Sequence, residues 1–188
     1  MRNMRYKMIA CVAVLILAVF CFAAFDPGFH GADEPVYFAY TKSIVDDLDL
    51  NILNEVHAPG DRFYVTRTFN LPSLHNHGGV LFWAPFFVYG RAAANALHGW
   101  GAGAVLPAAA YFAEKCAMSL STVIAGLGLM IITFFLARRF YPAGISFVSV
   151  AALALGTPLL YYMLIETGNA NIVAGLFMAA ALLTMVSM

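Results

Sequence analysis

Uncharged, apolar residues fall in long runs broken by short polar stretches, and the runs have the length of membrane crossings. Met8 to Phe25 is eighteen residues without a charge, about what a helix needs to cross a hydrocarbon core of roughly 30 Å. Ala117 to Ala137 and Ala143 to Ile165 are separated only by Arg138-Arg139-Phe140-Tyr141-Pro142, and a further run begins at Ile172. The pattern predicts an all-α, polytopic helical membrane protein with spans at about 8–25, 117–137, 143–165 and 172–188 and one long loop, 26–116. Gly156-Thr157-Pro158 predicts a kink in the third span, and Glu166 to Asn171 its outer turn. The last run reaches Met188 without a capping residue or polar tail, so residues 1–188 read as the N-terminal part of a longer transmembrane domain.

Charge sets the expected sidedness. Arg2, Arg5 and Lys7 precede the first run and Arg138-Arg139 form the turn of the later hairpin, so both are expected in the cytoplasm. A cleaved signal peptide, with Ala23-Ala24 near its end, would also begin this way. The apolar part exceeds the roughly 7–15 residues of such a leader and more spans follow, which favours an uncleaved anchor. If the first span runs outward and the Ala117 span inward, the segment between them crosses an even number of times, and zero is the simplest. The loop 26–116 is then extracytoplasmic. Gly78 to Leu97, with Pro85, Arg91 and Asn95, is expected as an interfacial or re-entrant helix with Trp83 and Tyr89 at headgroup level. Pro35 to Val45, with Val36, Tyr40 and Ile44 four apart, is expected as a short amphipathic helix on the outer surface, capped by Asp33.

Composition agrees: 62% of residues are apolar and 11% charged, against roughly 45–50% and about 25% in soluble domains. All ten acids and five histidines lie outside the apolar runs or at their edges, and only Glu166 falls beyond the segment from Asp26 to Glu114. Lys plus Arg equals Asp plus Glu, so net charge points to no nucleic-acid partner. Cys11, Cys21 and Cys116 lack the spacing of a metal site or disulfide framework and read as small core residues.

The acidic pair Asp33-Glu34 stands eight residues beyond the first span. A carboxylate at a membrane surface can act as a general base or hold a divalent cation, and it can equally be a helix start that satisfies free amides. Asp47-Leu48-Asp49-Leu50-Asn51 opens like a calcium loop, but Ile52 and Ala58 occupy the positions where glycine and glutamate are needed, so it reads as a solvated helix end. His75 and His77 are a weak metal signal on their own. Glu166, an acid at a span end, is a candidate by position. Phosphate-loop, nucleophile-elbow and zincin motifs are absent.

The order of features carries a resemblance. One span, then Asp33-Glu34-Pro35-x-Tyr37, Ser43-Ile44-Val45-Asp46-Asp47, Gly78-Gly79-Val80-Leu81-Phe82-Trp83-Ala84-Pro85-Phe86 and Leu155-Gly156-Thr157-Pro158-Leu159-Leu160-Tyr161-Tyr162 resembles the C-type glycosyltransferases of the protein mannosyltransferase and aminoarabinose transferase group. The resemblance runs from Met8 to about Met188, roughly the N-terminal third of such a protein. It implies transfer of a sugar from a polyprenyl-phosphate donor to an unknown acceptor at the outer face of a bacterial inner membrane. By the same resemblance Asp33, with Glu34 beside it, is the general base or helps hold a divalent metal; Tyr37, His75, His77 and Glu166 are the candidate substrate-binding residues, chosen by position and not by the resemblance. The chain departs from the group's pattern at His75-Asn76-His77 and at Glu166-Thr167-Gly168-Asn169. The rival readings are a transporter or flippase-like protein, with an acid as its ion site, and a non-catalytic membrane scaffold. In the full-length protein stripped of its native cysteines, an impermeant thiol reagent applied from outside is expected to label Asp33→Cys and Asp61→Cys but neither Arg138→Cys nor Arg139→Cys. Outside labelling of the arginine turn would overturn the parity argument.

Overall fold

The structure, a computed structural model, describes residues 19, 21–31, 33–52, 78–99 and 107–188. Among them the secondary structure is all helical, and six helices are described from end to end: α1 Glu34–Asp46, α2 Gly78–Gly99, α3 Pro107–Arg138, α4 Ala143–Gly156, α5 Leu159–Leu164 and α6 Ala170–Ser187. Of the first apolar run only residues 19 and 21–24 are described, and they are helical.

Among the described residues two stretches are long and apolar enough to cross a membrane: Ala109–Arg138, with mean hydropathy 2.3, and Ala170–Ser187, with 1.9. Only 22% and 17% of their most apolar windows are buried. A soluble protein's core helix of this composition would be covered on most sides, whereas here Ile131, Phe135, Phe177 and Met185 face outward. α3 starts well before the expected Ala117, so residues 107–116, assigned by sequence to the outer loop, are helix continuous with the span. The third run does more than kink. Pro158 pushes Thr157 into an extended conformation, φ −124° and ψ 167°, and the run divides into the 14-residue α4 and the 6-residue α5. α6 begins at Ala170 because the Asn169 side chain accepts the Asn171 amide at 2.9 Å.

α2 is one helix through Pro85, packed along α3. At Gly90 a Cβ would lie 2.6 Å from the Ala113 carbonyl oxygen and 2.9 Å from Ala117 Cβ, so the crossing is as close as a missing side chain allows. Trp83, expected at headgroup level, is instead fully buried, its indole N–H donating to Thr122 Oγ1 at 3.0 Å; a neighbouring helix supplies the polar partner that a headgroup would otherwise provide. Tyr89 is exposed. α1 does not lie on a surface with one apolar stripe down: Tyr37, Phe38, Ala39, Tyr40, Thr41 and Ser43 are all buried. It is held by aromatic contacts, Tyr37 to Trp83 at 5.3 Å and Phe38 to Phe87 and Tyr111 at 5.2 and 4.9 Å between ring centroids. The acidic stretch after it closes the helix end, Asp49 accepting from Ser43 Oγ at 2.7 Å and from Asn51 N at 2.9 Å.

The bundle has two chemically distinct ends. At one, Asp26 N donates to the Leu164 carbonyl at 2.8 Å, bringing the exit of the first run to the end of α5. At the other, Arg139 Nη2 donates to Ser187 Oγ at 2.9 Å. Lys115 and Arg138 on α3 are separated by roughly 35 Å at the helical rise per residue.

Candidate functional site

The acidic end is organised by Glu34, the first residue of α1, which has no solvent exposure. Its Oε2 accepts the amides of His30 at 2.6 Å and Gly31 at 3.0 Å, and its Oε1 accepts the amide of Gly168 at 2.5 Å. Lys115 Nζ lies 3.6 Å from Oε1, within ion-pair range but too far for a hydrogen bond, and 4.3 Å above the Phe29 ring. Lys115 is 3% exposed, and among the described residues its ammonium has no hydrogen-bond partner. Gly168 must be glycine for this arrangement: a Cβ there would meet Glu34 Cγ at 2.9 Å.

Asp33 differs in its burial. It is exposed, and although it occupies the N-cap position its side chain makes no capping bond. Its helical φ and ψ, −87° and −23°, differ from the extended conformation that turns a capping oxygen toward the first amides. The acidic pair is thus divided into one anchored carboxylate inside and one at the surface.

Glu166 packs over Gly31, whose amide Glu34 accepts, and itself accepts from Asn169 Nδ2 at 3.4 Å, so the structure brings it to the loop that Glu34 holds. Thr167 Oγ1 donates to Ser119 Oγ at 2.7 Å, tying the same turn to α3. Asp26 pairs with His30 Nε2 at 3.0 Å; the Gly28 amide first, then His30, hold its carboxyl below the usual range. On the flank, Arg91 of α2 bridges Asp46 at the end of α1 and Glu114 of α3, the latter at 2.6 Å through Nε. Tyr37, expected to bind substrate, is buried against Trp83. His75 and His77 lie outside the described residues.

Sequence reasoning missed Lys115 and Arg91 because the loop was expected to run to residue 116; a lysine inside a long apolar helix is a signal in its own right. Among the described residues no three His, Cys, Asp or Glu side chains converge as metal ligands. The Glu34 oxygens already face three N–H groups and an ammonium, a donor set suited to a carboxylate alone and not to a cation beside it. Comparison with protein-family models, curated proteins and solved structures gives no match.

Two outcomes are expected from these geometries. Glu34→Gln should lower stability by roughly 3–5 kcal/mol, because it leaves Lys115 buried without its partner, and Glu34→Gln with Lys115→Met should recover part of that loss; thermal melts in detergent would show it, and equal melts for wild type and single variant would refute it. The Arg91 guanidinium holds the Asp46 carboxyl below its ordinary value of 3.8. Folded Asp46 therefore titrates lower than unfolded Asp46, and its stabilisation, present above about pH 4, fades as pH falls through the folded value. Asp46→Asn should flatten the acid limb of a melting-temperature profile below pH 4.

Proposed function

We propose that the protein is a C-type membrane glycosyltransferase that moves a sugar from a polyprenyl phosphate to an acceptor hydroxyl at the outer membrane face, with Asp33 as general base. The observation that carries this reading is the division of the acidic pair: Asp33 exposed beside Glu34, which is locked by the amides of His30, Gly31 and Gly168. A base must reach the proton it removes, and it works best on a rigid support. The acidic end also lies opposite the Arg138-Arg139 turn, the turn expected in the cytoplasm.

In the proposed step the acceptor oxygen attacks the anomeric carbon, the bond from that carbon to the phosphate oxygen breaks, polyprenyl phosphate leaves, and Asp33 takes the acceptor's proton. Glu34 holds the loop and helix start and does not exchange a proton with substrate. On this reading the protein sits in a bacterial inner membrane with its N-terminus cytoplasmic. A transporter is the second reading, favoured by the buried ion pair of Glu34 and Lys115.

The test is sugar transfer by membranes containing the full-length protein, supplied with polyprenyl-phosphate sugars. Asp33→Asn is expected to lower kcat by about 10²-fold or more, the usual contribution of a general base, with unchanged protein level. Full activity in that variant removes Asp33 from the site, and no transfer by wild type from several donors favours the transporter.

A further inference from the structure

At the end of the bundle remote from Asp33, the last turn of α3, the Arg139 that follows it and the end of α6 form an open cavity of about 450 Å³ lined by Phe135, Arg138, Arg139, Leu183 and Ser187. We propose that this cavity binds the phosphodiester headgroup of an anionic phospholipid. The inference rests on α3 and α6 crossing a membrane and is independent of the transferase reading.

Charge is the first argument. From Cys116 to Met188 the only acidic residue is Glu166, and it sits at the opposite end beside Gly31. Among the described residues neither arginine has a carboxylate partner. Arg138 Nη1 donates to the Tyr141 carbonyl and Arg139 Nη2 to Ser187 Oγ, both at 2.9 Å. Each bond uses one of a guanidinium's five N–H groups and holds the side chain in place, leaving donors for phosphate oxygens. The two cations also stand at the C-terminus of α3, whose carbonyls keep them there without neutralising them.

The apolar walls decide for a lipid over a free anion. Phe135 and Leu183 line the cavity, and Ile131, Phe140, Tyr141 and Met185 on the adjoining turns are exposed. Inorganic phosphate gains nothing from that surface, whereas a phospholipid lays its chains along it and its headgroup between the arginines. Basic pockets between helices on the cytoplasmic side of a membrane are suited to such headgroups.

The full-length protein, purified in a neutral detergent, would be titrated with phosphatidylglycerol and phosphatidylcholine and bound lipid counted by native mass spectrometry. Wild type is expected to prefer phosphatidylglycerol, and R138Q/R139Q to weaken that binding roughly 30-fold, the attraction contributed by two basic residues, with phosphatidylcholine unaffected. Ser187→Ala, which removes the bond to Arg139 but no charge, should retain phosphatidylglycerol binding and so separates the site from the packing of α3 on α6. Unchanged phosphatidylglycerol binding in R138Q/R139Q overturns the proposal, as does full displacement of the lipid by millimolar inorganic phosphate, which would mark a free-anion site.

Discussion

A carboxylate with no solvent exposure joins four pieces of this chain. Glu34 takes amides from the loop after the first run and from the turn between α5 and α6, begins α1, and lies beside the Lys115 ammonium of α3. A buried polar group is tolerated only when its bonding capacity is filled, so these segments must come together for any of them to be stable in place. The close approach of Gly31 to Glu166 and of Gly168 to Glu34 follows from the same demand.

The apolar packing sits next to this polar knot. Trp83 and Phe87 of α2, Tyr37 and Phe38 of α1 and Tyr111 of α3 form one aromatic layer, and Gly90 lets α2 lie close enough to α3 to complete it. Arg91, one residue on, carries the contact outward to Asp46 and Glu114. α1 and α2 are thus fixed to α3 by ring packing, a backbone-close crossing and an ion network in succession. This gives the acidic end a rigid floor, while the long apolar faces of α3 and α6 stay uncovered.

Rigidity at one end bears on chemistry there. An anchored Glu34 leaves the adjacent Asp33 as the exposed acid of the pair, and the backbone that carries Asp33 is restrained by its neighbour's bonds. The distribution of charge along α3, Glu114 and Lys115 near its start and Arg138 with Arg139 at its finish, gives the molecule a polarity that a membrane would read as sidedness.

The sequence by itself determined that the described chain is helical, where the basic turn falls, that Pro158 interrupts the third run, and that a helix starts after Asp33. These follow from local physics: the length of apolar runs, the missing amide of proline and the preferences of helix ends. Only the tertiary structure decided that Glu34 is inside and Asp33 outside, that Trp83 bonds Thr122 instead of facing headgroups, and that Lys115 and Arg91 are partners of acids far away in the chain. Adjacent residues such as Asp33 and Glu34 look alike to any local rule. Which of them is buried depends on amides and cations brought from as far as residue 168, and on whether a helix such as α1 finds neighbours on one side or on nearly all of them.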